Sequence, residues 1–188
     1  GQCFDGLFKG KFLTRLPMIW STWGNVRRLW PDAKVLSRST RLRRSYGHDP
    51  YGSYLNNSSY YDDLAVMFPL LNVDKRLPPK RRILGIEIDG LYAALDKEEV
   101  RKVGVTNFTV GVTPLAAVWD PALETVRVFL RNTGDRTLTF AWADGKLVDS
   151  DTHTEWNSSG EGFEGYNAGT RLRQIVAVDI NDFEIIEK

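Results

Sequence analysis

From Leu84 onward the chain alternates apolar and polar positions, the period of a strand with one face in a core. In Leu84-Gly85-Ile86-Glu87-Ile88-Asp89 the large apolar residues share one face, and Asp89-Gly90 follows as a tight hairpin turn. Glycine accepts the positive φ of such a turn at little cost, so Leu91 to Leu95 reads as the return strand. Asp96-Lys97-Glu98-Glu99 has capping-box spacing, with Asp96 placed to accept the Glu99 N–H, and Gly104 supplies a C-terminal stop. One short helix is predicted between them. Phe108, Val110 and Val112 then form one alternating set, and Leu115, Ala117 and Trp119 the next. Asp120-Pro121 opens a turn, after which Val126, Val128 and Leu130 alternate with Arg127, Phe129 and Arg131. Asn132-Thr133-Gly134-Asp135 turns the chain into a strand from Thr137 to Trp142, and Asp144-Gly145 makes a hairpin into Lys146-Leu147-Val148. Turn signals every 8–12 residues predict a mainly β, β-rich α+β fold of antiparallel meander or barrel-like sheets.

The first half has less period. Ser21 or Thr22 is placed to cap a second short helix through Trp23, Val26, Arg27 and Trp30, with Pro31 as its stop. Residues 45–63 carry Tyr46, Tyr51, Tyr54, Tyr60 and Tyr61 among Gly, Asn, Ser and Asp, which predicts a long ordered aromatic loop of the kind that often carries function. Most of the six tryptophans are expected in the core, because each buries a large area.

A length of 188 residues with 42% hydrophobic and 26% charged residues suits one domain with a real core. No apolar run nears the ~20 residues of a membrane span, and the single cysteine, Cys3, excludes an internal disulfide or a thiolate metal cage. The net charge of +1 hides an asymmetry. Residues 1–102 hold 18 Lys/Arg against 11 Asp/Glu, and residues 103–188 hold 7 against 13. The densest basic stretch, Arg27 to Arg44, is read first as a solvated face and second as an anionic-polymer surface. A nucleic-acid partner is not expected, since no nucleic-acid motif accompanies the basic run.

The two ends of the chain share a pattern. Gly1, Phe4, Gly6, Gly10 and Leu13 recur without gaps as Gly160, Phe163, Gly165, Gly169 and Leu172, with Asp5 matching Glu164 and Leu16 matching Ile175. Glycines kept in register mark backbone positions that need positive φ or close approach. The expectation is a duplicated strand-turn unit, residues 1–16 with 160–175. The strands from Val126 to Trp156 precede the second copy, and no counterpart precedes the first. The chain is therefore expected to be a fragment lacking the front of its first repeat.

Leu16-Pro17-Met18-Ile19-Trp20-Ser21-Thr22-Trp23-Gly24, Trp30-Pro31-Asp32 and Val35-Leu36-Ser37 resemble the domain of unknown function 3179 family. So do Tyr46-Gly47-His48-Asp49-Pro50-Tyr51-Gly52-Ser53-Tyr54, Phe68-Pro69, Leu77-Pro78-Pro79-Lys80, and the later run from Asp151-Thr152 through Trp156 to Leu172. The resemblance covers nearly the whole chain. It implies a mostly bacterial and archaeal, exported or membrane-anchored protein, hence a periplasmic or extracellular location, with no activity established for the family. The Cys-Pro-Leu-Cys motif of many members does not occur in this chain.

Candidate chemistry is sparse. His48 and Asp49, with Asp62 and Asp63, offer a general base or a metal site, weighed against a plain Asp-Pro turn. Asp151, His153 and Glu155 would share one side of an extended chain, a metal face at strand spacing, although no second ligand set accompanies them. Gly160, Gly162 and Gly165 spell Gly-x-Gly-x-x-Gly without the strand and helix that a dinucleotide site needs. Asn56, Asn57, Asn107 and Asn157 begin glycosylation sequons. No cofactor and no metal is assigned. The expectation is a non-catalytic extracytoplasmic binding or scaffold module for a small molecule or polymer, contacting it through Tyr46, His48, Asp49, Tyr51 and Tyr54, with Arg43 and Arg44. The alternative is a hydrolase or a redox or metal-dependent enzyme whose site at His48 and Asp49 is completed by groups outside this chain.

Overall fold

The computed structural model describes residues 2–14, 16–39, 41, 46–47, 76–77 and 80–180, the last two by backbone alone. Thr22 Oγ1 accepts the Asn25 N–H at 3.2 Å and starts α1, Trp23–Leu29. Ser21 takes no part in that cap. Its hydroxyl donates to the Leu123 carbonyl at 2.7 Å and fastens the helix entry to a distant turn. Trp30 closes α1, and Pro31 beyond it cannot continue the helical ladder.

Strands β1, Ile83–Ile88, and β2, Leu91–Asp96, form the expected hairpin, with Asp89 and Gly90 at φ 51° and 76°. Helix α2, Lys97–Val103, runs from an Asp96 cap to Gly104 at φ 80°. The cap carboxylate takes the Glu98 N–H, at 2.9 Å, as its closest backbone partner. Three antiparallel strands follow: β3, Val105–Val110, β4, Thr113–Asp120, and β5, Thr125–Leu130. Val112, expected on a strand, sits in the β3–β4 turn and is almost fully exposed. A two-stranded ribbon of β6, Asn132–Thr133, and β7, Arg136–Thr137, interrupts the predicted Thr137–Trp142 strand. Its remainder is β8, Phe140–Ala143, which pairs with β9, Lys146–Asp149, followed by β10, Glu155–Trp156, and β11, Gly162–Glu164. The last strand, β12, Ala177–Ile180, returns to pair with β1.

The β3–β4–β5 sheet is buried on both faces, which is why Leu115-Ala116-Ala117-Val118 is continuously apolar. Leu115, Ala117, Val126 and Val128 face Leu84, Ile86 and Val100, in a core closed by α2 and the β12–β1–β2 sheet. Ala116, Val118 and Phe129 face the opposite way, onto Leu138, Phe140, Leu147, Trp156 and Leu172 of the β8–β11 side. The protein is strand-rich with two helices and several open antiparallel sheets. None of the described sheets closes into a barrel. Of the six tryptophans only Trp156 is buried; Trp119 is partly covered, and Trp20, Trp23, Trp30 and Trp142 are exposed. The core is made instead mainly from aliphatic residues with Phe129 and Phe140, and the indole N–H of Trp156, the one buried tryptophan, is met by the buried Asp149 carboxylate at 2.8 Å.

Residues 2–12 and 161–171 carry the same backbone bonds at an offset of 159. Cys3 N–H donates to Lys11 O at 2.9 Å, as Gly162 N–H does to Thr170 O. Gly10 N–H donates to Cys3 O at 2.7 Å, as Gly169 N–H does to Gly162 O at 2.8 Å. Lys9 to Gly6 and Lys11 to Phe8 match Ala168 to Gly165 and Thr170 to Asn167. Gly10 and Gly169 have φ 83° and 82°.

Candidate functional site

Helix α1 is held on the outside of the β4–β5 turn by two side chains. Besides Ser21, Arg28 donates to the Ala122 carbonyl at 3.1 Å and to Asn25 Oδ1 at 2.8 Å. The turn is itself built by Asp120, whose carboxylate accepts the N–H groups of Ala122 and Leu123 and pairs with Arg127 at 3.0 Å. Both charges are buried, so each depends on the other for the solvation it lost. This anchoring leaves the rings around α1 outward. Trp20, Trp23 and Trp30 are each about half exposed, and Leu16, Met18, Leu29, Val35 and Leu36 are exposed beside them in sequence. Arg27, on the last turn of α1, adds positive charge to the same segment. An exposed series of indoles flanked by arginine can stack on flat rings and pair with acidic groups.

Of the residues expected at the ligand, Tyr46 is described, and its ring is exposed. Arg43, Arg44, His48, Asp49, Tyr51 and Tyr54 lie outside the described residues, as do Asp62, Asp63, Asn56 and Asn57. The Asp151–His153–Glu155 metal face is corrected by the structure. Asp151 and Thr152 form a turn and His153 has φ 55°, so these residues do not alternate along an extended strand. Asp151 instead accepts the Thr139 N–H at 2.6 Å, and Glu155 pairs with Lys146 at 2.6 Å. Among the described residues no group of three His, Cys, Asp or Glu side chains is placed to hold a metal ion. Gly160 precedes no helix; its backbone packs on Phe129, where an added Cβ would come within 2.7 Å of the ring.

The β9–β10 turn contains a buried polar cluster that the residue pattern did not single out. Asp149 is fully buried, and its carboxylate accepts the Trp156 Nε1–H at 2.8 Å and the Thr152 N–H at 2.6 Å. The Thr152 hydroxyl lies 2.8 Å from both carboxylate oxygens and 2.7 Å from Thr154 Oγ1. Burial by itself would push the Asp149 carboxyl up, but the bonds from Trp156 and Thr152 hold it below the ordinary carboxylate value. Thr154 Oγ1 also accepts the Asn167 N–H at 3.0 Å, which fastens β10 to the loop of residues 161–171. The spacing Asp-x-x-Thr-x-Thr-x-Trp, an acidic residue followed by hydroxyls at turn spacing, is the signal that could have found this cluster. Two sequon asparagines are likewise structural. Asn107 bonds both backbone groups of Phe140, at 2.7 and 3.0 Å, and Asn157 Oδ1 accepts from Ser159 and Glu161. Arg81 and Asp96 pair at 2.8 Å where β1 meets α2; burial would raise the Asp96 carboxyl, but Arg81 and the helix N–H groups hold it low.

The class defined by these features is a β-rich domain of open antiparallel sheets with polar clusters that serve its turns. The family model described as protein of unknown function (DUF3179) matches residues 1–184, and the chain belongs to that family. No curated protein and no solved structure matches the chain. No helix among the described residues is long and apolar enough to cross a membrane.

Proposed function

We propose that this domain is a non-catalytic binding or scaffold module working outside the cytoplasm. The observation that carries the reading is the exposed ring series of Trp20, Trp23 and Trp30, held outward by α1 while Leu115 to Val118 fill the core. Folded chains rarely leave so many large apolar groups in water on one segment without a use for them. Tyr46 and the tyrosines at 51 and 54 extend the same chemistry along the sequence, and Arg27, Arg43 and Arg44 supply positive charge. The ligand class this favours is a polymer with stackable rings and acidic groups, such as an acidic polysaccharide. The location rests on the family resemblance. The equivalent hydrogen bonds of residues 2–12 and 161–171 support reading the two ends as copies of one strand-turn unit.

Titration of the protein with heparin and with a neutral glucan, followed by tryptophan emission, tests the binding reading. A saturable shift with heparin that is abolished in Trp23→Ala, while the variant keeps its circular dichroism, is the expected result. The same shift in wild type and variant, or none with either polymer, defeats it.

A further inference from the structure

The loops of residues 2–12 and 161–171 share their internal bonds but differ in what covers them. In the tail, β10 lies across the loop, with Glu155 opposite Glu164 and Trp156 opposite Gly162. Gly165 is pressed so close that an added Cβ would stand 2.8 Å from Thr154 Cα. At its counterpart, Gly6, an added Cβ would meet nothing within 4 Å. The anchoring leucines show the same contrast. Leu172 is 4% exposed among Trp156, Phe140, Leu138 and Phe129, whereas Leu13 is 68% exposed.

We propose that the head loop is the seat for a β-strand of the β10 type, which enters it from the N-terminal side and pairs antiparallel with residues 3–5. Order and chemistry both come from the tail, where β10 reaches its loop through the turn of residues 157–160, and an offset of 159 puts the counterpart before residue 2. A second copy of this chain is a poor source, because β10 is already paired on both edges, with β9 and β11. The occupant has a large ring where Trp156 stands, to cover Leu13. It also has a hydroxyl where Thr154 stands, to accept the Phe8 N–H as Thr154 accepts that of Asn167. Serine and threonine both supply that hydroxyl. This inference rests on the two loops being equivalent units.

The test joins an added copy of residues 138–159 directly to the N-terminus of the full chain. Amide hydrogen exchange and the reaction rate of Cys3 with a thiol reagent are then compared with the unextended protein. Expected is at least a tenfold slowing at the Phe8 amide and at the Cys3 thiol. Introducing Gly6→Asn into the extended chain should reverse both, because asparagine tolerates positive φ yet carries the Cβ that the strand would strike. Exchange at the Cys3, Gly10 and Lys11 amides reports the loop itself: fast exchange there refutes the equivalence of the loops, and the seat with it. Slow exchange there with an unchanged Phe8 amide and thiol refutes the seat alone. If the added copy does not fold, a peptide of the same 22 residues is supplied in trans at millimolar concentration, and failure to protect Cys3 overturns the proposal.

Discussion

Replacing Asp149 by asparagine keeps the shape of a fully buried side chain and removes its charge. The carboxylate offers two acceptor oxygens to Trp156 Nε1–H, Thr152 N–H and the Thr152 hydroxyl. An amide offers one oxygen, and its NH2 must then face an N–H donor, either the indole or the Thr152 backbone. Losing a hydrogen bond to a charged group costs about 1.5–3 kcal/mol, and a buried donor left without an acceptor adds about 1–3 kcal/mol. A net loss of ~3 kcal/mol at pH 7 is expected, since the Thr152 hydroxyl can rotate to recover part of it. For a chain of this size that is a drop in Tm of roughly 6–12 °C. The acid limb carries the sharper test. The folded Asp149 carboxyl lies below its ordinary value, so its stabilisation is complete above the unfolded pKa of about 4 and is lost as pH falls through the folded value. The asparagine variant has no such proton to bind. Urea unfolding followed by circular dichroism should give a stability gap that is constant from pH 7 to 5 and narrows steadily below about pH 4. A gap under about 0.5 kcal/mol at neutral pH, or one unchanged down to pH 2.5, would refute the assignment of Asp149 as a charged acceptor.

Other substitutions separate the layers of the argument. Leu172→Ala should cost about 2–5 kcal/mol in chemical denaturation, whereas Leu13→Ala, at the counterpart position, should stay within about 0.5 kcal/mol. Gly160→Ala combines φ 84° with a contact of 2.7 Å to Phe129, and should lower Tm well beyond Gly134→Ala, where φ is 59° and nothing lies within 4 Å. Arg127→Met leaves Asp120 buried without its cation and should destabilise by about 3–5 kcal/mol, while Asp120→Asn combined with Arg127→Met should recover part of that loss in a double-mutant cycle. Asn107→Ala uncaps both backbone groups of Phe140 and should speed exchange of the Phe140 amide more than that of Ala117.

Much of the β architecture was legible because short turns leave little choice. Asp89-Gly90 and Asp144-Gly145 both adopt paired positive φ, and each fixes the register of the hairpin it closes. Asp96 and Gly104 bracket α2 for equally local reasons. What failed were inferences needing knowledge of the other side of a contact. The alternation around Thr137 to Trp142 looks continuous, yet the chain leaves the ladder at Leu138, which turns into the core beneath Phe129. Tryptophan content suggested core filling, but α1 rides on the β4–β5 turn through Ser21 and Arg28, contacts about a hundred residues away in sequence, and so keeps its indoles outside. Asp151, His153 and Glu155 alternate in the sequence alone; the left-handed φ of His153 follows from the tight return of the chain around Asp149, which a period of two does not reveal. The proposed ligand surface was read from composition alone, its rings and arginines, and of the proposed contact residues Tyr46 lies among those described.

The middle sheet has no side that tolerates water, and that shapes the order of events at the ribosome. When Leu130 has emerged, β1, β2 and α2 are already available to shelter one surface of β3–β5. The other surface gains cover from Leu138 and Phe140 first and is completed only by Leu172, 42 residues after Leu130, roughly 2–8 s at about 5–20 residues per second. Until then the half-covered sheet is an adhesive ribbon, the kind of exposed apolar surface that makes partly folded chains prone to aggregate.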